Sequence, residues 1–474
     1  MNQKRILIAN RGEIALRVIR SAKEMGLHTI AVYSDADEDS LHVKRADESY
    51  YIGGSLPAES YRNLKTLVNA AVDTNADLVH PGYGFLAENA DFAKAIEKKG
   101  IIWVGPRPET ISSMGDKIES RKLVSKIGLQ PVPGQLRPSR LKREAMRDAE
   151  SFGYPVALKA AHGGGGKGLR IVHSEKELLE NFEIVKRESE AYFGSDQIYV
   201  EKFIKPARHV ETQVLADKYG NILYLGERDC SLQRRNQKLI EIAPSPQLND
   251  EQREYIGALA VKAAKAVNYE NAGTVEFLLD KENNFYFMEM NTRLQVEHTI
   301  TESITGIDIV QKQIKIASGE KLRYKQEDIS FRGFAIEFRI NAEDPKQDFL
   351  PSFGKITRYF AAGGPGVRTD ASIYTGYVIP PYYDSMCAKL TIWALNWEDA
   401  VQRGLRALDD IGVFGVKTTI PYYQEILKHE DFVQGDFNTS FVEMHPELTD
   451  YEDELPPDII AAAIGAAIAA HEGI

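Results

Sequence analysis

The sequence predicts a mixed α/β and α+β protein, with an N-terminal parallel sheet, a small lid and a larger, mostly antiparallel C-terminal domain. Three observations predict it. Short apolar strands alternate with amphipathic helices in the first 115 residues, a glycine run lies between two strands mid-chain, and longer strands dominate beyond residue 205. The 474 residues exceed the roughly 250 to 300 at which single cores stop growing, so several domains sharing a cleft are expected.

Residues 1–115 are the predicted N-terminal domain. An apolar strand at 6–9, a helix at 13–25 ended by Gly26 and a strand at 29–33 make a βαβ unit, and the same alternation then repeats. This is the topology of a doubly wound, Rossmann-like sheet. The turn after the first strand, Asn-Arg-Gly-Glu at 10–13, lacks the three spaced glycines of a dinucleotide site.

The remaining chain divides into four predicted segments. Residues 116–135 are a helical linker, and residues 136–204 are a lid of helices and strands that contains the glycine run. Residues 205–449 form the C-terminal domain of long strands. Residues 450–474 are an acidic and then Ala/Ile-rich tail, whose helical stripe is Ile460, Ile464 and Ile468.

Composition narrows the class of protein. The net charge is −11 and the cationic residues are scattered, so we expect no nucleic-acid partner. There are two cysteines, the N-terminus has no apolar signal segment, and no apolar run approaches the ~20 residues of a membrane span. We therefore expect a cytoplasmic protein with no membrane association.

The glycine run at residues 163–168, Gly-Gly-Gly-Gly-Lys-Gly, is the strongest local motif. Glycines let backbone N–H groups approach and surround phosphate oxygens, so the run predicts a mobile phosphate-covering loop. A strand follows it where a dinucleotide motif requires a helix, and no Ser or Thr follows the Gly-Lys pair as in a Walker loop. The alternative is a flexible hairpin tip.

Two lysines and two carboxylates suggest a nucleotide and its metal. Lys117 and Lys159 could place positive charge near phosphates, and Lys159 lies in an apolar strand where an unpaired ammonium group would be costly. Glu276 and Glu289 lie on successive apolar strands, and with Asn291 they offer the oxygen ligands that Mg²⁺ or Mn²⁺ prefers. The alternative is a polar sheet face or ion pairs with arginines.

Two polar clusters follow strands. Residues 292–298 interleave a cation, an amide and an acid, a combination that can hold a small planar anion and accept its proton. The alternative for this stretch is a charged connecting loop. Residues 233–238, Gln-Arg-Arg-Asn-Gln-Lys, are on their own most simply a solvated charge run.

Taken in order, seven blocks resemble the biotin carboxylase family, over residues 1 to about 445. They are residues 9–15 (ANRGEIA), 80–85 (HPGYGF), 115–117 (GDK), 163–168 (GGGGKG), 228–231 (RDCS), 289–298 (EMNTRLQVEH) and 383–385 (YDS). The resemblance implies an ATP-grasp fold and an ATP-dependent ligase that uses Mg²⁺ or Mn²⁺ to carboxylate biotin with bicarbonate through carboxyphosphate.

The resemblance also implies roles for individual residues. The glutamate and lysine of the strand at 201–204 would meet the adenine. The full ATP set would be Lys117, Lys159, Gly165, Gly166, Glu201, Lys202, Phe203, Ile204, His209, Gln233, Asn236, Glu276 and Glu289, with the metal held by Glu276, Glu289 and Asn291. Bicarbonate would be bound by Lys238, Arg293, Gln295 and the Val296 backbone and deprotonated by Glu297, while Arg339 would stabilise the biotin enolate beside Tyr83.

Two residues near the nucleotide depart from the family pattern. Asn236 stands where relatives often have His, and Leu169 where they often have Met, which puts ATP affinity in doubt but not the reaction. Other ATP-grasp enzymes, such as a carboxylate-amine ligase or a carbamoyl-phosphate-forming domain, and a non-catalytic nucleotide-binding scaffold are the competing hypotheses. A scaffold would be expected to lack the catalytic residues, all of which are present.

Partners are also implied. None of the eight methionines precedes a lysine, so the chain lacks the Met-Lys-Met sequence on which the family carries biotin. We therefore expect a separate biotin carrier and a separate carboxyltransferase, as in two-subunit pyruvate or other 2-oxoacid carboxylases, with acetyl-CoA carboxylase as the alternative. The resemblance suggests a homodimer through Arg20, Glu24 and the loop before Arg368, where Pro365 replaces the usual Phe.

Overall fold

The computed structural model describes residues 3–162, 168–452 and 457–472. The predicted phosphate-binding Gly165 and Gly166 lie outside the described residues.

The N-terminal part is built on a five-stranded parallel sheet of order β3-β2-β1-β4-β5. Its elements are β1 (Arg5–Ile8), α1 (Gly12–Glu24), β2 (His28–Tyr33), α2 (Leu41–Arg45), β3 (Glu48–Tyr51), α3 (Leu64–Asp73), β4 (Leu78–His80), α4 (Ala90–Lys98) and β5 (Ile102–Trp103). The inner strand β1 reads Ile-Leu-Ile after its first residue and is fully buried there, as expected where helices cover both faces. The predicted parallel sheet is confirmed.

The next part carries the lid, whose sheet has the order β7-β6-β8 and is antiparallel. The elements here are α5 (Pro108–Gly115), α6 (Lys117–Lys126), α7 (Lys142–Phe152), β6 (Val156–Ala160), β7 (Leu169–Val172), α8 (Glu175–Phe193) and β8 (Ile198–Lys202). The strand predicted to reach Ile204 ends at Lys202, so Phe203 and Ile204 follow it in a loop. Pro155, preceding the partner strand, has no N–H with which to extend the ladder.

An eight-stranded sheet of order β13-β12-β9-β10-β11-β14-β21-β19 forms the larger part. It begins with β9 (Ala207–Ala216), β10 (Ile222–Arg234), β11 (Gln237–Ala243), α9 (Asp250–Ala266), β12 (Asn271–Asp280), β13 (Phe285–Asn291), α10 (His298–Thr305), α11 (Ile309–Ala317) and β14 (Phe334–Asn341). All its pairings are antiparallel, as the sequence predicted.

Short strands and helices complete the chain. They are β15 (Glu343–Asp344), β16 (Leu350–Pro351), β17 (Gly354–Lys355), β18 (Arg358–Phe360), β19 (Val367–Ala371), β20 (Val378–Ile379), β21 (Met386–Ala394), α12 (Trp397–Asp410), β22 (Gly412–Phe414), α13 (Ile420–Lys428), α14 (Glu430–Val433), α15 (Phe441–Met444) and α16 (Pro457–Glu472). Ile464 and Ile468 on α16 are exposed. Within the described ranges, no helix combines the length and apolar character needed to cross a membrane.

Candidate active site

Carboxylates from three neighbouring strands stand in a row across the large sheet. The strand register places Glu211 of β9 opposite Glu276 of β12, and Glu276 opposite Glu289 of β13. Glu211 and Glu276 are buried. Since buried anions need partners, this row determines where the cations of the site must lie.

Lys238 is the cation at the centre of this row. Its Nζ donates to Glu211 Oε2 at 2.6 Å, to Glu297 Oε1 at 2.7 Å and to Glu276 Oε1 at 3.2 Å. Burial lowers the pKa of Lys238, but the surrounding acidic groups, Cys230 and the three carboxylates, outweigh it and raise the pKa well above its ordinary value. Lys238 is therefore a permanent positive charge inside the site.

The hairpin between β10 and β11 positions Lys238 beside the row of carboxylates. The predicted charge run forms a two-residue turn, in which Arg235 and Asn236 both have positive φ, at 50° and 63°. Asn tolerates this conformation, which gives a local reason for the departure at position 236. Asn236 is exposed and Gln233 is half-buried opposite Lys238, so the run is a solvated tip whose last residue turns inward.

Glu297 lies between two cations. Its Oε1 accepts from Lys238, and its Oε2 accepts from the Arg339 Nη2 at 3.0 Å. Burial raises the pKa of Glu297, but Lys238 and Arg339 outweigh it and hold the pKa well below its ordinary value. Glu297 is thus an ionised, fully buried carboxylate, which can accept a proton from an anion placed beside Lys238.

Arg339 is held from its other side by Glu241 of β11, a residue that the sequence analysis did not single out. The Arg339 Nε donates to Glu241 Oε1 at 2.6 Å. Burial raises the pKa of Glu241 to about 8 despite the nearby guanidinium. The guanidinium is therefore positioned by Glu241 on one side and by Glu297 on the other.

The segment after β13 brings Arg293, Gln295 and Val296 together. The Arg293 Nη1 donates to Gln295 Oε1 at 2.7 Å, and the Gln295 Nε2 donates to Glu276 Oε1 at 3.0 Å. Arg293 and Gln295 are therefore linked to Glu276, and Glu276 shares the Lys238 ammonium group with Glu297.

Two distant residues hold that segment in place, and neither was predicted. Glu88 accepts from the Arg293 Nε at 2.8 Å. Lys389, which is fully buried on β21, donates to the carbonyl oxygen of Val296 at 2.6 Å. Both contacts fix backbone and side chain before any substrate arrives, which is the arrangement an anion site needs.

The predicted metal ligands fit a divalent cation in part. Glu276 and Glu289 face each other across β12 and β13, and each is neutralised by an ammonium group, from Lys238 at 3.2 Å and from Lys117 at 2.8 Å. A bound cation would take over that neutralisation. Asn291 fits less directly, because its Nδ2 donates to Glu276 Oε1 at 2.7 Å while its Oδ1 accepts from Arg293, so the amide must rotate to offer oxygen.

His209 belongs to the same group, because its Nε2 lies 2.9 Å from Glu276 Oε2. This contact places the ring against a predicted metal ligand, so His209 orients that carboxylate. The second predicted lysine, Lys159, forms an ion pair with Glu201 at the end of the lid.

The two residues predicted to meet the adenine use their charged groups elsewhere. Glu201 accepts from Arg121 at 3.0 Å as well as from Lys159, and the Lys202 Nζ donates to the Gly153 carbonyl at 2.8 Å. Both charged groups are therefore already paired with protein partners. The buried Arg121 was not predicted, although an arginine on an otherwise apolar helix face is a signal for a buried ion pair.

Tyr83 lies near the Val296 segment, with its ring 5.6 Å from the Lys389 Nζ. Its hydroxyl is buried and has no hydrogen-bond partner among the described residues. An orphaned buried hydroxyl is consistent with a substrate contact at this position.

Comparison with known proteins gives the family of the chain. Three family models match the chain in three consecutive stretches. They are described as biotin carboxylase, N-terminal domain (residues 2–111), carbamoyl-phosphate synthase L chain, ATP binding domain (residues 116–325), and biotin carboxylase C-terminal domain (residues 337–444). The 2-oxoglutarate carboxylase small subunit of Hydrogenobacter thermophilus is 51% identical over 471 residues, covering 99% of this chain and 100% of that protein.

The chain belongs to the biotin carboxylase family. Biotin carboxylase 1 of Bacillus subtilis is 52% identical, over 93% of this chain and 98% of that protein. The crystal structure of the biotin carboxylase domain dimer of the Hydrogenobacter thermophilus enzyme, in complex with MgADP, ADP and bicarbonate, has a TM-score of 0.93 at 52% identity, covering 95% of this chain and 99% of that one. A biotin carboxylase from Campylobacter jejuni has a TM-score of 0.91 at 44% identity, covering 94% and 99%.

These findings confirm the predicted family, the ATP-grasp fold and an ATP-dependent ligase that carboxylates biotin. The match to a carbamoyl-phosphate synthase domain covers only the ATP-binding stretch and is flanked on both sides by biotin carboxylase domains. The competing hypothesis of a carbamoyl-phosphate-forming domain is therefore wrong.

Glu13 connects α1 to the biotin carboxylase site through Lys389. The Lys389 Nζ lies 3.5 Å from Glu13 Oε2, a charge contact, and neither Glu13 oxygen has a hydrogen-bond partner among the described residues. Burial raises the pKa of Glu13 to about 7, and the attraction of Lys389 only partly offsets this.

The pH dependence of stability should therefore change when Glu13 becomes Gln. The folded-state pKa of about 7 lies above the ordinary value of 4.5, so between these pH values the folded protein keeps a proton that the unfolded chain releases. Glu13 therefore lowers the free energy of unfolding progressively as the pH rises from about 4.5 to about 7. The free energy of unfolding of Glu13→Gln, relative to that of wild type, should therefore rise by about 2 kcal/mol between roughly pH 5.5 and pH 8. Urea midpoints of both proteins at the two pH values measure this difference. Glu38→Gln, at an exposed position, is the control. Parallel pH curves for Glu13→Gln and wild type would contradict the expectation.

Proposed function

We propose that the chain is the biotin carboxylase subunit of a two-subunit 2-oxoacid carboxylase and carboxylates biotin carried on another protein. The observation that carries the proposal is Glu297, buried and ionised between Lys238 and Arg339 at 2.7 and 3.0 Å. A carboxylate in this position can take the proton of bicarbonate. Lys238 and Arg339 can stabilise bicarbonate before the proton transfer and the deprotonated anion after it.

The nucleotide would lie between the lid and the large sheet. Lys117 and Lys159 form ion pairs with Glu289 and Glu201 at this boundary, where their ammonium groups can also contact phosphate oxygens. A divalent cation held by Glu276 and Glu289 would neutralise the charge of the transferring phosphoryl group. The related enzyme from Hydrogenobacter thermophilus binds MgADP and bicarbonate, which supports these assignments.

Bicarbonate would be bound by Lys238, Arg293 and Gln295, with the Val296 backbone fixed by Lys389. Glu297 takes its proton, and a bicarbonate oxygen then attacks the γ-phosphorus of ATP, giving ADP and carboxyphosphate. Carboxyphosphate splits into CO₂ and phosphate. The phosphate removes the proton of the biotin ureido nitrogen, and that nitrogen attacks CO₂.

Arg339 would stabilise the negative charge of the biotin enolate. Its guanidinium is anchored by Glu241 and so need not reorganise when that charge develops. Tyr83, whose hydroxyl has no hydrogen-bond partner among the described residues, would lie beside the biotin ring. Carboxyphosphate must be kept from water, and the role predicted for the glycine run, which lies outside the described residues, is to do this.

The assignment to a 2-oxoacid carboxylase rests on one relative that matches along the whole chain. The match to the 2-oxoglutarate carboxylase small subunit extends over 471 residues, 99% of this chain, and so includes the Ala/Ile-rich tail, whereas the matches to biotin carboxylases of Bacillus subtilis and Populus trichocarpa cover 93% and 97% of it. One of the pyruvate carboxylase subunits of Methanothermobacter thermautotrophicus is 49% identical. Both 2-oxoacid relatives are named as single subunits of a carboxylase, which supports a separate partner that bears the carrier and the carboxyltransferase.

We also propose a homodimer, because the related domain crystallises as one. The predicted interface residues make contacts within their own chain, from Arg20 to Asp370 at 3.2 Å and from Arg368 to Glu302 at 2.7 Å. These pairs would fix the arginine side chains that the proposed interface presents. Both cysteines are free and buried, and with ATP as substrate this supports a cytoplasmic location.

ATP hydrolysis in the presence of bicarbonate, with and without free biotin, tests the proposed reaction. Phosphate release should depend on both bicarbonate and biotin, and equal rates with and without biotin would contradict biotin carboxylation by this site. The parent complex is tested with biotinylated carrier proteins from a 2-oxoacid carboxylase and from an acetyl-CoA carboxylase. Faster carboxylation of the acetyl-CoA carboxylase carrier would overturn the 2-oxoacid assignment alone.

A further inference from the structure

A second cluster of metal-ligating side chains lies near the C-terminus, on elements that carry none of the residues assigned to the reaction. It consists of His429, Asp431, His445 and Glu447. His429 directly precedes α14, and Pro446 begins the short turn Pro446–Thr449 directly after His445. Residues 16 apart in sequence are thereby brought side by side.

Glu447 lies on one side of the two imidazoles. Its Oε1 is 3.0 Å from His445 Nδ1 and 3.9 Å from His429 Nε2, and the three ligand atoms lie within 4.8 Å of one another. Tetrahedral Zn²⁺ with bonds of about 2.0 to 2.1 Å places its ligand atoms roughly 3.3 Å apart. The present spacing surrounds that value, so a small closure of the His429 side would complete the set.

Asp431 lies on the opposite side of the same two rings. Its Oδ2 is 3.2 Å from His445 Nε2 and 3.9 Å from His429 Nδ1, the two nitrogens that do not face Glu447. Carboxylates next to the distal nitrogens commonly orient metal-binding histidines. In this structure His429 Nδ1 accepts from the Asp431 backbone N–H at 3.3 Å. Metal at Nε2 would shift the ring proton to Nδ1, and the ring would then turn so that Nδ1 donates to the Asp431 carboxylate.

The two rings already lie close together against a buried aromatic side chain. Their centroids are 4.1 Å apart, and the buried Phe441 lies 5.5 Å from the His429 ring and 4.7 Å from the His445 ring. The His445 Nε2 is buried and makes no hydrogen bond among the described residues, despite its charge contact with Asp431. Such preorganisation lowers the entropic cost of binding an ion.

We propose that His429 Nε2, His445 Nδ1 and Glu447 bind one Zn²⁺, with Asp431 positioning the histidines and water as fourth ligand. Two imidazoles and a carboxylate suit zinc, whereas Mg²⁺ prefers oxygen ligands alone, so this site is chemically distinct from the carboxylates proposed to hold the ATP metal. The ion would fasten the Pro446–Thr449 turn to α14 and so stabilise the segment that precedes the tail.

Calorimetric titration with ZnCl₂ tests this, on full-length protein without a histidine tag and after treatment with a chelator. Wild type should bind one Zn²⁺ per chain, and Glu447→Gln and His445→Ala should each weaken binding by about 100-fold or more, with Asp431→Asn weakening it by roughly 10-fold. Excess Mg²⁺ should not displace the zinc.

The controls separate ligand loss from unfolding. Glu447 is 57% exposed, so its conversion to Gln should leave the fold and the biotin-dependent ATP turnover unchanged. His173→Ala removes an exposed histidine outside the cluster and should bind zinc like wild type. Absence of zinc binding in wild type, or wild-type affinity in both Glu447→Gln and His445→Ala, would overturn the proposal.

Discussion

Glu297→Gln should lower biotin-dependent ATP turnover by about 10³-fold, the effect typical of losing a general base. The amide has nearly the same volume as the carboxylate but cannot take up a proton. It also removes the negative charge that Lys238 and Arg339 contact at 2.7 and 3.0 Å. Steady-state phosphate release with bicarbonate and free biotin measures the effect, which should fall mainly on kcat.

The control must show that the variant still folds and binds nucleotide. Glu251→Gln, on the exposed start of α9, makes the same chemical change outside the site and should retain full turnover. ATP binding by Glu297→Gln in the absence of biotin should stay within a few-fold of wild type, because Lys117 and Lys159 are unchanged. Full turnover in Glu297→Gln would remove this residue as the base.

The parallel sheet and the larger antiparallel sheet could be predicted because local periodicity determines each element. The helix predicted at 13–25 is observed as Gly12–Glu24, since its apolar residues repeat at helical spacing. Strand ends were less predictable. Whether β8 continued beyond Lys202 depended on the neighbouring strand, where Pro155 accepts from the Phe203 N–H but has no N–H to donate in return.

Residues of the site were predictable where a charge stands in an apolar strand, as with Lys159 and Glu276. The residues that hold them were not. Glu88 contacts Arg293 from 205 positions away, and Lys389 contacts Val296 from 93. No pattern within one element records such pairs, because they arise only when domains pack together. The same holds for the histidine cluster around His445, whose members meet across a turn.

Arg228→Met should strongly destabilise the large sheet, because Arg228 is the buried ion-pair partner of Glu211 in the row of carboxylates. Its guanidinium is fully buried and donates to Glu211 Oε1 at 2.6 Å, to Gln213 at 2.8 Å, to Thr301 at 3.0 Å and to Thr274 at 3.1 Å. Removing one partner of a buried ion pair leaves the other charge uncompensated, at a cost of about 3 to 5 kcal/mol.

Arg235→Met is the matched control for that variant, since it makes the same change on the same strand system. The Arg235 side chain is 70% exposed at the hairpin tip and, among the described residues, pairs with the exposed Asp348, so its loss should cost no more than about 1 kcal/mol. Urea midpoints of the two variants measure the difference. Equal shifts would mean that Lys238 alone compensates the charge of Glu211. We expect a much larger shift for Arg228→Met, because Lys238 also neutralises two other carboxylates, Glu276 and Glu297.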